Sequence, residues 1–233
     1  MRVGCSRVRI EVVGRTNIDF DTVMSYMKLD EDSLATEDLV EFAGRACYQS
    51  FHKPNEATRS NRAYIANILA QGHESVLEHA SVSFYVQGVS RNMLLELERH
   101  RHLSFSVIST RFVNSEHTEV IIPPALRGDQ LAEHVIIEQA EASRQAYVAL
   151  NDRLVLAGKT RKEAREAARV ALSGNLETKF VVTGNLRAWR DVLKKRYSTH
   201  ADAEIRQFAE AVLELLKLEA PNVFQDFPDT PFD

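Results

Sequence analysis

A chain of 233 residues is long enough to bury one sizeable core and does not require two domains. With 44% hydrophobic and 27% charged residues it sets itself apart from disordered chains, and a net charge of -4 excludes a generally basic nucleic-acid binder. No apolar run approaches the roughly 20 residues of a membrane span, no signal-peptide core opens the chain, and Cys5 and Cys47 form no CxxC pair; the expected location is the cytoplasm.

In chain order, the β-rich run Arg7 to Gly14 predicts a strand. Leu39, Val40, Phe42, Ala43 and Ala46 recur at helical spacing, which predicts a helix that buries this apolar face. After a break at Pro54 and Asn55, a second helix carries Tyr64, Ile65, Ile68 and Leu69 on one face and stops at Gly72. Val82, Phe84 and Val86 alternate with Ser83, Tyr85 and Gln87, the pattern of a half-buried strand. Ser90 is placed to cap a helix with Met93, Leu94 and Leu97 on its inner side, and Ser104 to Val113 reads as extended. Beyond Pro123 and Pro124, Gln130 to Leu156 predicts a long helix, an arm or interface, with Leu131, Val135, Ala142 and Tyr147 among its apolar positions. Thr160 and Glu163 have capping-box spacing for a further helix. Glu177 to Asn185 predicts a strand, Asn185 a cap for the helix that follows, and Ala201 to Ala220 an amphipathic helix halted by Pro221. Residues 221–233 lack a period and are expected to lie along a surface as a tail. Without repeats, linkers or a βαβ rhythm, the expected fold is α+β, one domain over residues 1–220.

The familiar phosphate-binding loops are absent: there is no GxGxxG after a strand and no GxxxxGK[ST], so side chains must hold any phosphate. The segment HESVLEH, residues 73–79, lacks standard zinc spacing, and no metal is expected. Arginines carry the stronger signal. Glu98 to Phe112 reads ERHRHLSFSVISTRF, with Arg91 just upstream, and sets Arg99, Arg101 and Arg111 beside Leu103, Phe105, Val107, Ile108 and Phe112. A guanidinium keeps its charge when partly buried, and its fork matches phosphate or carboxylate oxygens. Ser104, Ser106 and Ser109 add neutral donors. A second cluster, Lys162, Arg165 and Arg169, shares a helix face with Glu163 and Glu166 nearby, where a solvated face is the simpler reading. A third is KKRY, Lys194 to Tyr197. Tyr64, Tyr85 and Trp189 read as core residues. The residues alone thus describe an α+β protein that binds a phosphorylated small molecule through arginines, without reaching a reaction.

Spacing adds more. Arg99, His100, Arg101, Ser104, Ser109 and Arg111 spell RHRxxSxxxxSxR, which resembles the signature of the flavin-dependent thymidylate synthases. The likeness continues, in the family's order, through EFAGRACYQS, GHESVLEHASVSFYVQGVSR, RKEAREAAR, VVTGNLRAWR and RYSTHADAEIRQFA. The resemblance implies a thymidylate synthase-complementing-protein fold, a twisted and mainly antiparallel sheet flanked by long helices. It implies reductive methylation of dUMP to dTMP, with 5,10-methylenetetrahydrofolate as carbon donor, NADPH as reductant and FAD as hydride carrier. It also implies a homotetramer with active sites shared between subunits, no cysteine nucleophile, and no nucleic-acid or membrane partner. The positions matching dUMP ligands are Glu96, Leu97, Glu98 and Arg99, then Val107, Ile108, Ser109, Thr110 and Arg111, then Arg169 and Arg196. Those matching FAD ligands are Ser75, Arg99, His100, Arg101, Val107, Asn185, Leu186, Arg187 and Asp191. Arg196 is the catalytic candidate, matching an arginine credited with favouring ionisation at N3 of the pyrimidine. A cation at the N3/O2 edge stabilises the negative charge that develops as hydride adds at C6. Ser109 is assigned to binding alone.

The chain departs from the family pattern at three of these places and at Phe112. Val107 stands where Glu or Gln is usual, Thr110 and Phe112 where Gln and Tyr are common, and Asp191 where His or Asn is usual. A lost hydrogen bond at Val107 costs about 0.5–1.5 kcal/mol. The alternative expectation is therefore a nucleotide- and flavin-binding relative with weak or no turnover because of Val107 and Asp191.

Overall fold

A computed structural model of the chain describes residues 8–52 and 55–233, so Cys5, Arg7 and Pro54 lie outside the described residues. Strands β1 (Arg9–Arg15), β2 (Ser81–Ser90), β3 (Ser104–Val107) and β4 (Glu177–Asn185) form one antiparallel sheet in the order β1-β2-β4-β3. The helices are α1 (Phe20–Met24), α2 (Ala35–Tyr48), α3 (Asn61–Ala70), α4 (Arg91–Leu97), α5 (Gln130–Leu156), α6 (Arg161–Ala168), α7 (Leu186–Arg196) and α8 (Ala203–Glu219). The class is α+β, as expected.

Alternation builds the inner face of the sheet. Val82, Phe84 and Val86 of β2 are wholly buried, with Phe84 opposite Val182 and Val86 opposite Phe180 on β4. Full burial of each such side chain is worth about 1.5–3 kcal/mol. The same core takes in Met93, Leu94 and Leu97 of α4, Trp189 and Leu193 of α7, and Ile205, Phe208 and Val212 of α8. Trp189 donates its indole N–H to the Val82 carbonyl at 3.1 Å. Gly184 keeps this corner closed, because a Cβ there would lie 2.5 Å from Leu103 Cδ2 and 3.0 Å from Trp189 Nε1.

Two expectations need correction, at α2 and at the closing segment. Helix α2 buries Val40 together with Thr36, Glu37, Asp38, Glu41 and Arg45, while Leu39, Phe42, Ala43 and Ala46 are only partly covered. Its neighbours supply polar partners: Asn222 donates its main-chain N–H to Glu37 Oε1 at 2.5 Å, Asn61 donates to Glu41 at 2.9 Å, and Arg45 pairs with Glu41 at 2.6 Å. Phe42 turns instead to a cluster with Tyr26 and Phe51. Helix α5 has the expected bounds and packs against α6; Ala140 and Tyr147 are its buried residues, and Leu131, Val135 and Ala142 are exposed, as suits an arm or interface. The closing segment is not confined to a surface: Val223, Phe224 and Phe227 enter the main core. Buried Arg190 holds it there, donating to the Val223 carbonyl at 2.5 Å and to both oxygens of Asp226 at 2.7 Å.

Candidate functional site

Helix α4 begins as its sequence dictates, with the Ser90 hydroxyl accepting from Met93 N at 3.0 Å. It stops at Leu97, and the chain turns before β3, with the His100 N–H donating to the Leu97 carbonyl and the Leu103 N–H to the His100 carbonyl. Leu97 and Leu103 are buried on either side and anchor this turn. Arg99 and Arg101 consequently point to solvent, while His100 between them is 9% exposed.

Arg196, at the end of α7, reaches across to the same turn. Its Nε donates to His100 Nε2 at 3.0 Å, Nη1 to Glu96 Oε2 at 3.1 Å and Nη2 to the Glu96 carbonyl at 3.2 Å. A guanidinium carries five N–H donors, so Arg196 is fixed and still has donors to offer. Burial, then the Arg196 charge, hold the His100 imidazole below its usual range, with Asp191 acting in the opposite direction and Lys195 adding to the lowering.

A cleft of about 630 Å³ opens beside this turn. Six of the residues matched to FAD line it: Arg99, His100, Arg101, Asn185, Arg187 and Asp191. Asn185 also caps α7, its side-chain oxygen accepting from Ala188 N at 2.8 Å, which leaves its amide hydrogens for a ligand. Lys194 and Lys195 line the cleft as well. Glu74 and Glu78 are the counter-charges: Glu78 accepts from Arg187 at 2.5 Å and Glu74 from Lys194 at 3.2 Å. Arg99 and Arg101 enter none of the ion pairs formed around this cleft among the described residues. This donor set of unpaired guanidinia, lysines and a side-chain amide fits an anionic dinucleotide such as FAD. Ser75 is exposed on the short turn between Glu74 and Glu78. Leu186 is fully buried, so it has only main chain to offer, and the same holds for Leu97.

Beyond β3 the segment expected to stay extended turns instead. Phe112 N and Val113 N both donate to the Ser109 carbonyl, at 3.1 and 2.9 Å. The basic face of α6 docks on this turn. Arg165 donates to the Phe112 carbonyl at 2.6 Å, the Lys162 ammonium stands 5.5 Å from the Phe112 ring centre, and Glu166 faces Arg111 at 3.8 Å. This second cluster is therefore more than a solvated face. Ile108 and Thr110 line a further cleft of about 440 Å³ with Arg91 and Lys179, and Thr110 lines a third with Arg91 and Arg169. The residues matched to dUMP thus fall in two groups. Arg99 opens on the first cleft, Arg196 is bonded to its wall through His100, and neither Thr110, Arg111 nor Arg169 lines that cleft.

Residues 28–222 match the family model described as thymidylate synthase complementing protein. The chain belongs to the flavin-dependent thymidylate synthase family. It is 45% identical to the flavin-dependent thymidylate synthase of Mycobacterium sp. (strain JLS), covering 96% of this chain and 91% of that one. It is 48% identical to the flavin-dependent thymidylate synthase of Mycobacterium tuberculosis (strain ATCC 25177 / H37Ra), over 82% of this chain and 80% of that one. It is also 48% identical to the probable flavin-dependent thymidylate synthase of Mycobacterium phage L5, over 84% and 82% of the two chains.

For a flavin-dependent thymidylate synthase, the position of Val107 has a structural explanation. It sits on β3 directly opposite Phe180 and packs against the core, where a β-branched side chain suits a half-covered strand. Asp191 is held by Lys195 at 2.7 Å and lies 3.8 Å from His100 Nδ1. Sequence reasoning took Glu74 and Glu78 only as part of a poor metal spacing and Lys194 and Lys195 only as part of a third basic cluster. It missed that they balance one another in this cleft, because single acids carry no motif. Their only signal is charge complementarity, which appears once α7 lies beside the 74–79 turn.

Proposed function

We propose that this flavin-dependent thymidylate synthase makes dTMP from dUMP, taking its carbon from 5,10-methylenetetrahydrofolate, with FAD bound in the cleft beside the RHR turn. The observation that carries this reading is the fixing of Arg196 by His100 and Glu96, which joins the residue matched to pyrimidine polarisation to the turn matched to both ligands. FAD, reduced by NADPH, supplies the hydride. The protein's part is to hold charge in place. Arg99, Arg101 and Arg187 engage anionic groups, Arg196 offers its free N–H bonds to the N3/O2 edge of uracil, and Arg111 and Arg169 take the phosphate side. Ser109 binds beside the pyrimidine. The division of the dUMP residues between separate clefts supports a homotetramer whose sites are completed across subunits. Among the described residues no helix is long and apolar enough to cross a membrane, and the reading places the enzyme in the cytoplasm, as one domain.

The test is dTMP formation by purified protein supplied with dUMP, methylenetetrahydrofolate, NADPH and FAD. The preparation should be yellow, or gain flavin absorbance on adding FAD, and dUMP should raise its NADPH oxidation. Protein that stays colourless and silent would overturn the reading. A second reading rests on Val107, whose side chain offers no acceptor: a ligand-binding relative with little turnover. Under it, Val107→Gln restores dTMP formation to a protein that otherwise makes almost none; an ordinary rate without the substitution eliminates it.

A further inference from the structure

The support behind Arg196 ends on one of the residues that depart from the family pattern. Arg196 Nε has a hydrogen to donate and no lone pair to accept with, so His100 Nε2, 3.0 Å away, must present its own lone pair. A neutral imidazole with a lone pair on Nε2 carries its proton on Nδ1. That nitrogen is the one nearest Asp191, with Oδ2 at 3.8 Å. A carboxylate at this distance favours an N–H over a lone pair facing it. We infer that Asp191 is a positioning residue, whose carboxylate selects the Nδ1–H form of His100 and thereby holds the Arg196 guanidinium through Nε2. The inference rests on the proposed role of Arg196 at the pyrimidine.

The charges around the imidazole agree with this. Arg196, Asp191 and Lys195 face His100 from α7, Lys195 also gripping the Asp191 carboxylate at 2.7 Å, while Glu96 shares Arg196 with it from α4. Arg99 and Arg101 flank His100 on its own turn and open on the same cleft, with Glu74, Arg187 and Lys194 on the facing walls. Protonation of His100 would place a hydrogen on Nε2 against the Arg196 N–H and release the guanidinium. Activity should therefore fall on the acid side. Since Asp191 favours the protonated imidazole, removing its charge should move that acid limb to lower pH.

The experiment uses the full chain labelled with nitrogen-15 at histidine. Long-range proton–nitrogen correlation reads the His100 tautomer, and dTMP formation is followed across pH on the same preparations. The unmodified protein should show Nδ1–H near neutral pH. Asp191→Ala should give mixed tautomers, a kcat about tenfold lower with the KM for dUMP little changed, and an acid limb at lower pH. Asp191→Asn keeps an acceptor oxygen without the charge, so it should restore the tautomer and most of kcat while leaving the limb displaced. An Nε2–H imidazole in the unmodified protein, or Asp191→Ala with its tautomer and kcat intact, would overturn the inference. Should Asp191→Ala not fold, an unmoved acid limb in Asp191→Asn overturns it alone. If the unmodified protein makes no dTMP, the reading of its activity fails, and the tautomer still decides the role of Asp191.

Discussion

At the scale of single residues, the site is a matter of where each cation may point. Arg99, His100 and Arg101 are consecutive, yet the turn after α4 sends the arginines outward and the histidine inward. That division follows from Leu97 and Leu103, which are buried and fix the turn between them. Arg196 depends on its planar fork, because its three acceptors lie in different directions around one guanidinium. A lysine has a point charge and cannot make this set of contacts. Arg196→Lys should lower kcat for dTMP formation at least about a hundredfold. Flavin absorbance of the purified variant should stay close to that of the parent, which separates a lost polarising group from a lost cofactor. The motif itself was legible in the sequence, since its chemistry lies in residue type and spacing. The acids that balance it were not, because Glu74 and Glu78 acquire meaning only beside Arg187 and Lys194.

At the scale of elements, α2 and the closing segment form one polar lock. Periodicity predicted that α2 would bury its apolar stripe, and the charged stripe is buried instead because Asn61 and Asn222 supply its hydrogen bonds. Burial pushes the Glu37 carboxyl up to about 7, against hydrogen bonds from Asn222 and Leu34 that lower it. Its folded value exceeds the ordinary 4.5, so the stabilisation it brings is complete below about pH 4.5 and is lost as pH rises through 7. Urea unfolding should show stability declining between pH 5 and 8, by at most about 3 kcal/mol from this group, with a flatter profile in Glu37→Gln. Asp38 and Glu41, also raised chiefly by burial, act in the same sense. Arg190 is the second fastening: it is 2% exposed, bonds Val223 and Asp226, and stands 5.0 Å from the Phe227 ring centre. Arg190→Met should cost about 2–3 kcal/mol, less than a wholly buried pair because the freed Asp226 reaches water. Limited proteolysis should then cut first after residue 221.

At the scale of the whole molecule, the two groups of dUMP-matched residues suggest a division of labour between subunits. If Arg196 and Arg169 serve one site from different chains, Arg196→Ala and Arg169→Ala should each be nearly inactive. Co-expression of the two variants should return measurable dTMP formation, because some mixed sites receive both arginines. Separately purified variants mixed without exchange should stay inactive, and the same silence after co-expression would place both arginines on one chain. The exposed Leu131, Val135, Leu156 and Val170 give apolar surface for such an assembly, near Arg169 in the short turn that follows α6. By itself the sequence determined β1, β2 and β4, the capped helix starts, the long helix and the arginine motif, because period, caps and spacing are local properties of a chain. Only the tertiary structure decided which face of α2 is buried, that the closing segment enters the core, and that His100 stands between Asp191 and Arg196. Those outcomes depend on partners far away in sequence, and a buried polar group has no meaning until its hydrogen-bond partner is in place.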